Sequence, residues 1–143
     1  MNRNIAWLLL PAALATTVAF AQTDNAADVT ATLQAAGYAE VRDVEFDGGL
    51  WEAEVKRDDG RWGEVAMDPA TGEVFDAQSG QPMLEAGSVT AALEAAGYTG
   101  ITDLDRDGGL WEAEALDRDG TRVELRLSGH DARVLSSEVD TDD

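Results

Sequence analysis

Carboxylates are the residues of this chain whose type and spacing could do chemistry, because they recur as two matching sets of three acids. The sets are Asp43, Glu54 and Glu64, followed by Asp103, Glu114 and Glu124. If each set forms a row across neighbouring strands, its oxygens could bind a divalent cation such as calcium or contact a basic partner surface. The remaining interpretation is a solvated acidic face, with Lys56, Arg122 and Arg126 nearby.

One segment satisfies the calcium-loop pattern D-x-D-x-D-G-x5-E. It runs from Asp103 through Asp107 and Gly108 to Glu114. An EF-hand also needs a helix on each side of its loop, whereas residues 110–115 alternate between apolar and polar side chains and predict a strand. We therefore expect the match to be a coincidence. Apart from a calcium ion on the acidic rows, no cofactor is expected.

Groups for covalent or acid–base catalysis are sparse. The chain has no cysteine, which excludes thiolate zinc sites and thiol nucleophiles, and its one histidine leaves little for a histidine-rich metal site or a histidine relay. His130 is expected in a surface turn, with no partner that the sequence reveals, and the serines lack the context of a nucleophile elbow. We therefore predict that the chain is not an enzyme.

Tryptophans supply the other candidate contact. Trp62 is predicted to lie on the polar face of a sheet, across from Lys56. There it would either contact a partner or form a cation–π pair with Lys56. Trp51 and Trp111 are expected in the core.

Composition limits the partners. The 143 residues include 10 Lys+Arg and 29 Asp+Glu, which gives a formal net charge of −19. Nucleic acids and anionic membranes would be repelled. A hydrophobic fraction of 44% is too high for a wholly disordered acidic chain, so a folded core is expected.

Residues 1–21 are predicted to be a secretory signal peptide. Arg3 precedes an apolar run that leads to Ala19-Phe20-Ala21, an A-x-A cleavage site, so the mature chain would start at Gln22. The run is short for the ~20 residues that a spanning helix needs, and no membrane span is expected after cleavage. We expect a periplasmic or secreted protein.

The remaining chain repeats with a period of 60 residues. About 21 of 50 aligned positions are identical, without a gap, between residues 29–78 and 89–138. This indicates a tandem duplication. The predicted boundaries are residues 22–80 for unit 1, 81–138 for unit 2 and 139–143 for an acidic tail, with fraying from Ser136 onward.

Each unit is predicted to be α+β, with a short N-terminal helix packed on a three- to four-stranded antiparallel sheet. Asp28 or Ser88 would be the N-cap, and Gly37 or Gly97 would end the helix. Alternation of apolar and polar residues predicts strands with one covered face.

The loop after the second strand predicts the register. Apolar residues share a face only if this loop has an odd length, and residues 58–60 suit a three-residue hairpin. Continued to the first strand, the same register brings each acidic set into one row. The predicted pairs are Trp51–Met67, Ala53–Val65, Val55–Gly63, Val44–Ala53 and Phe46–Trp51.

Four segments carry a resemblance to a known family. They are residues 33–38 (LQAAGY), 49–55 (GLWEAEV), 58–61 (DDGR) and 65–74 (VAMDPATGEV), of which the last is the most distinctive. With them the unit resembles the PepSY family, in the short form of small exported bacterial proteins. The resemblance covers about residues 26–78 and 86–138, and the second copy departs at residues 128–134 (SGHDARV).

The resemblance implies a helix packed on a small antiparallel sheet and no catalytic residues. PepSY units occur in the propeptides of thermolysin-type metallopeptidases, and a peptidase-inhibitory role has been suggested for the family. The tandem units are also similar to the β-lactamase inhibitor protein. We expect a binding module that restrains a peptidase or another envelope protein. The alternatives are a cation or small-ligand sensor that uses the acidic rows, and an acidic structural protein of the periplasm.

Overall fold

The computed structural model describes residues 24–141, and the predicted signal peptide lies outside this range. The elements are α1 (Ala26–Ala35), β1 (Glu40–Asp47), β2 (Leu50–Lys56), β3 (Trp62–Met67), β4 (Val74–Phe75), α2 (Ala86–Ala95), β5 (Thr99–Asp107), β6 (Leu110–Leu116), β7 (Arg122–Ser128) and β8 (Val134–Val139). They form two antiparallel sheets with the strand orders β1-β2-β3-β4 and β5-β6-β7-β8. The predicted α+β fold with two similar units is confirmed. No helix in the described part is long and apolar enough to cross a bilayer.

Both helices begin one turn before the predicted N-caps. Asn25 caps α1, because its side-chain oxygen accepts a hydrogen bond from the Asp28 N–H at 3.0 Å. Asp28 therefore lies inside the first turn. The N-cap of α2 is Glu85, whose side chain makes no capping hydrogen bond. The prediction of Asp28 and Ser88 as N-caps is wrong, because Asn25 supplies an earlier acceptor and α2 starts without one.

The core of each unit lies between its helix and one face of its sheet. In unit 1, α1 contributes Val29 and Leu33, which pack on inward-facing residues of β2 and β3. Unit 2 repeats this arrangement with Val89 and Leu93. A helix of 10 residues is too short to be stable alone, so this packing holds the helix on the sheet.

The predicted register between the second and third strands is confirmed. Trp51 pairs with Met67 and Lys56 pairs with Trp62. Unit 2 has the same register, with Trp111 opposite Leu127. On the face away from the helix, side chains of the second and third strands of each unit therefore lie opposite each other in pairs.

A β-bulge changes the predicted register of β1. Phe46 pairs with Trp51 as expected, but the register shifts between Arg42 and Glu45. As a result Arg42, and not Asp43, is paired with Glu54 of β2. A bulge inserts a residue without a partner, and the alternation of apolar residues does not reveal it.

Unit 2 contains a matching irregularity. Thr102 takes the register position that was predicted for Asp103. Asp43 and Asp103 both adopt left-handed backbone conformations, with φ of 51° and 47°, which aspartate tolerates better than most residues. The prediction that Val44 lies opposite Ala53 is wrong for the same reason, since Val44 falls inside the bulge of β1.

The turn that departs from the family pattern keeps its backbone conformation. In residues 68–73 the first N–H donates to the last carbonyl at 3.0 Å, and in residues 128–133 the same bond is 2.9 Å. Ala132 occupies the position of Gly72 with a φ of 58° where the glycine has 70°. The turn leads into β8, whose pairing extends to Val139. Fraying of residues 136–139 was therefore predicted wrongly, because these residues pair with β7.

The two units pack against each other through the sheet faces that point away from the helices. We call this contact the seam. Its apolar part consists of Leu50, Ala66 and Phe75 from unit 1 with Leu110 and Leu135 from unit 2. The contacts are reciprocal. A Cβ on Gly49 would lie 2.9 Å from Ser136 Oγ, and one on Gly109 would lie 2.4 Å from the Phe75 carbonyl carbon.

Candidate binding surfaces

A cation–π cluster lies on the face of the unit 1 sheet that points away from the helix, which we call the outer face. The Arg42 guanidinium lies 3.9 Å from the centre of the Trp62 ring, and Arg42 Nε donates to Glu54 Oε2 at 2.6 Å. Lys56 Nζ is farther from the ring, at 5.9 Å, and binds Glu40. Trp62 is half-buried, and the predicted cation–π pair with Lys56 is present, with Arg42 as the nearer cation.

Unit 2 has no aromatic ring at the corresponding place. Arg122 occupies the position of Trp62 and donates to Glu114 Oε2 at 3.3 Å. The Arg122 side chain is more exposed than that of Arg42, whereas Glu114 is less exposed than Glu54. The outer faces of the two units therefore share a sheet but differ in chemistry.

The predicted acidic rows are shorter than expected. Glu54 lies opposite Glu64 and Glu114 lies opposite Glu124, as predicted. The bulges remove the third member of each row, because Asp43 and Asp103 do not occupy the paired positions. Asp43 is exposed and forms an ion pair with its neighbour Arg42 at 3.4 Å, and Asp103 is exposed.

The seam brings together acidic residues that the sequence did not associate. Arg126 of unit 2 binds Asp47 at 2.9 Å, Glu52 at 2.5 Å and Glu112 at 3.1 Å. Its side chain is 12% exposed. Burial opposes the positive charge, but the carboxylates outweigh burial and raise the pKa of Arg126 above its usual value. One guanidinium therefore holds carboxylates of both units.

No described residues form a metal site. Among residues 24–141, no group of three or more acidic or histidine side chains could hold a metal ion. Leu110–Leu116 is a strand, so the calcium-loop pattern lacks the second helix of an EF-hand. The strand predicted for residues 110–115 is confirmed.

Glu64 is the predicted row residue whose ionisation the seam changes. Burial raises the pKa of Glu64 above its usual value, and the neighbouring charges of Asp107, Glu52 and Glu54 raise it further. Asp107 belongs to unit 2. The ionised form of Glu64 is therefore less favourable in the folded chain than in the unfolded chain.

Glu64→Gln is expected to stabilise the protein, because it removes a carboxylate whose charge is disfavoured by folding. At neutral pH we expect the Tm to rise by about 2 °C. Because folding raises the pKa, the wild-type chain should gain the same stability as the pH falls through that pKa, and the difference between the proteins should disappear there. Thermal unfolding followed by circular dichroism at several pH values measures this.

The matched control is Glu94→Gln, which removes one negative charge from the exposed surface of α2. It should leave the Tm nearly unchanged. A Glu64→Gln protein with a lower Tm than the wild type, or an equal gain in the control, would contradict the electrostatic explanation.

A buried polar cluster in unit 1 was missed by the sequence reasoning. Asp76 follows β4, is 3% exposed and accepts three hydrogen bonds. Its Oδ2 accepts from Arg57 Nη1 at 2.5 Å and from the Tyr38 hydroxyl at 2.7 Å, and its Oδ1 accepts from the Gln78 N–H at 2.8 Å. The one sequence feature that could have indicated this cluster is a difference between the two copies. Unit 2 has Asp117 and Ser136 in place of Arg57 and Asp76.

The cluster shifts the ionisation of its members. Burial opposes the charge of Asp76, but the hydrogen bonds from Arg57, Gln78 and Tyr38 outweigh it and lower the pKa of Asp76. Burial and the hydrogen bond to Asp76 raise the pKa of Tyr38. The cluster borders an open cavity of about 540 Å³, but its polar groups are directed mainly at one another. Its contacts therefore support a structural role.

The linker between the units is a further contact segment. We call residues 82–84 the strap. Leu84 N–H donates to the Gly129 carbonyl at 2.7 Å, and the Pro82 carbonyl lies 3.0 Å from His130 Nδ1. His130 is half-buried, and its contact with Pro82 is one that the sequence did not reveal. The structure brings it against a linker that lies far away in sequence.

Comparison with protein families adds one match. The PepSY_2 model, which describes a peptidase propeptide and YPEB domain, matches residues 5–78. The match covers just over half of the chain and includes the helix and all four strands of unit 1. Unit 2 lies outside the match but repeats its fold. No curated protein sequence matches the chain significantly.

Proposed function

Because the chain belongs to the PepSY_2 family of peptidase propeptide and YPEB domains, we propose that it is an exported, non-enzymatic binding module that restrains a peptidase. Domains of this family are typically extracellular or periplasmic and typically non-catalytic. The chain would cover part of the peptidase surface without covalent chemistry. The family name associates such domains with the segments that accompany peptidases, which supports this choice of partner.

The observation that carries the proposal is the cluster of Arg42, Trp62 and Glu54. Tryptophan and arginine are the residues that most often dominate the energy of protein interfaces. Here the guanidinium is held between a ring at 3.9 Å and a carboxylate at 2.6 Å. The ring and the carboxylate lie on paired strands. Little side-chain freedom would therefore be lost when the peptidase binds.

The charge of the chain indicates what kind of peptidase surface would fit. With 29 acidic and 10 basic residues, the chain attracts a basic surface over distances within the Debye length. Such attraction mainly increases the association rate. Binding should therefore weaken as the salt concentration rises, while the contacts of Trp62 determine how slowly the complex dissociates.

A turnover assay tests the proposal. The chain is recovered from an exporting host and added to a thermolysin-type metallopeptidase from the envelope fraction of the same host. A fluorogenic peptide is the substrate. We expect turnover to fall as the chain is added. Trp62→Ala should raise the inhibition constant by about tenfold or more, because truncation of a central interface tryptophan costs about 2 kcal/mol.

Arg122→Ala is the matched control, since Arg122 occupies the position of Trp62 in unit 2. It should change the inhibition constant little. Circular dichroism checks that both variants fold. Unchanged turnover at saturating amounts of the wild-type chain would exclude peptidase restraint. Capture of an envelope protein other than a peptidase in a pull-down would instead favour the interpretation that the chain modulates that protein.

A further inference from the structure

Both units have a pocket where the C-terminal end of the helix meets the loop between the second and third strands. In unit 1 this is the open cavity of about 540 Å³ beside the Asp76 cluster, and its lining includes Gly37 and Asp58. We call it the helix-end pocket. The pocket at the same place in unit 2 has a volume of about 260 Å³, and Gly97 and Arg118 take the corresponding positions in its lining.

In unit 2 an arginine of the chain itself occupies part of this space. Arg118 Nη2 donates to the Ala96 carbonyl at 3.0 Å, and a Cβ on Gly97 would lie 2.5 Å from Arg118 Nε. The last carbonyls of a helix lack partners within the helix and carry a partial negative charge, so they favour a cation. Neither helix has a basic residue in its last turn. Arg118 therefore supplies from the loop the cation that the end of α2 lacks.

Unit 1 leaves the same place open. Asp58 stands in the position of Arg118, and none of the residues that the structure describes donates a hydrogen bond to the Ala36 carbonyl. A Cβ on Gly37 would meet no heavy atom within 4 Å. Unit 1 therefore keeps the acceptor and the space that the guanidinium uses in unit 2, but it has an acid where unit 2 has the arginine.

The charges around the helix-end pocket leave one carboxylate available to a ligand. Arg57 would repel a cation, but it binds Asp76 at 2.5 Å. Asp59 binds Arg61 at 2.7 Å. Asp58 is exposed and forms no ion pair with any described residue. Because the two ion pairs cancel, Asp58 and the negative end of α1 determine the charge that a ligand would meet.

We infer that the helix-end pocket binds the guanidinium of an arginine side chain on a partner protein, in the place that Arg118 occupies in unit 2. The guanidinium would donate to the Ala36 carbonyl and form an ion pair with Asp58. Its planar set of donors suits two acceptors at once, whereas an ammonium group is a compact point charge. The inference goes beyond the proposed function, because the pocket shares no residue with the cation–π cluster and the partner need not be a peptidase.

A peptide titration tests the inference without any peptidase. The probe is the N-acetylated and C-amidated tripeptide glycine-arginine-glycine, added at constant ionic strength to the 15N-labelled chain recovered from an exporting host. Nuclear magnetic resonance follows the backbone amide signals of Gly37 and Gly97. We expect a saturable shift of the Gly37 signal, with the Gly97 signal nearly fixed. A citrulline peptide, which keeps the shape of arginine without its charge, should bind about tenfold more weakly, and a lysine peptide should bind several-fold more weakly.

Two substitutions exchange the residues that distinguish the units. Asp58→Arg should abolish the Gly37 shift, because the new side chain would occupy the end of α1 itself. Arg118→Asp should free the equivalent place in unit 2 and produce a shift of the Gly97 signal. Glu94→Arg is the matched control, since it makes the same change of charge on the exposed surface of α2, and it should leave the Gly37 shift nearly unchanged. Circular dichroism checks that the variants fold.

The results that would overturn the inference are separate from those of the turnover assay. They are the absence of a saturable Gly37 shift, equal binding of the citrulline peptide, and an undiminished shift in the Asp58→Arg protein. Failure of Arg118→Asp to gain a Gly97 shift would mean that Arg118 does not mark a guanidinium site. Free L-arginine is the other source of this group, and tighter binding of the amino acid than of the peptide would overturn the assignment to a partner protein. Each of these results can occur whether or not the chain restrains a peptidase.

Discussion

Replacement of Asp76 by asparagine is expected to lower the free energy of unfolding by about 3 kcal/mol, because it leaves the buried Arg57 without its counter-charge. The Arg57 side chain is 12% exposed, and its Nε is buried without a hydrogen-bond partner among the described residues. Asparagine retains the shape of the side chain but not its charge. Urea unfolding of the two proteins at neutral pH measures the difference.

The pH dependence identifies the cause of this loss. Folding lowers the pKa of Asp76, so its contribution to stability is present above the unfolded pKa of about 3.9 and is lost as the pH falls through the folded value. The difference between Asp76→Asn and the wild type should therefore shrink in acid. Asp59→Asn, at the exposed ion pair with Arg61, is the matched control and should show no measurable change. A pH-independent loss would point to packing instead.

Arg126→Met is expected to destabilise the contact between the units, because three carboxylates would lose the guanidinium that they share. Methionine keeps the length and most of the volume of the side chain. Since part of this cluster is solvated, we expect a loss of about 2 kcal/mol, measured by urea unfolding at low salt. Added salt should reduce the loss, because it screens the remaining carboxylates from one another.

Arg122→Met provides the comparison, since Arg122 lies on the same strand and face but its side chain is 61% exposed. Its effect should be several-fold smaller. Equal effects of the two substitutions would mean that Arg126 does not act through the seam. A small-angle scattering measurement on Arg126→Met should show whether the units separate, and an unchanged radius of gyration would restrict the effect to local electrostatics.

The sequence was sufficient to predict the repeated part of the fold. The duplication makes the 60-residue period visible in the sequence. The alternation around Trp51 and the odd number of residues in the loop 58–60 determine the pairing of β2 with β3. These features depend on local residues and on one hydrophobic face. For the same reason the pairing of Glu54 with Glu64 could be predicted from the sequence.

The features that the sequence did not predict depend on non-local geometry. A bulge leaves no mark in the apolar alternation, so Asp43 was placed one position from where it lies. The outer face was treated as solvent-exposed, whereas Leu50 and Phe75 lie in a contact with the second unit. Asp76 and Arg57 are 19 residues apart, and nothing local to either residue indicates that they meet.

The reciprocal seam has a consequence for how the two halves can diverge. In a dimer of identical subunits, every residue that enters such an interface enters it twice. A single chain is free of that constraint. Arg126 of unit 2 corresponds in sequence to Ala66 of unit 1. Unit 2 therefore supplies a cation at this position, while Ala66 lies in the apolar part of the seam. Gene fusion therefore permits a permanently asymmetric interface, and it leaves each half able to specialise its remaining surface for a different contact.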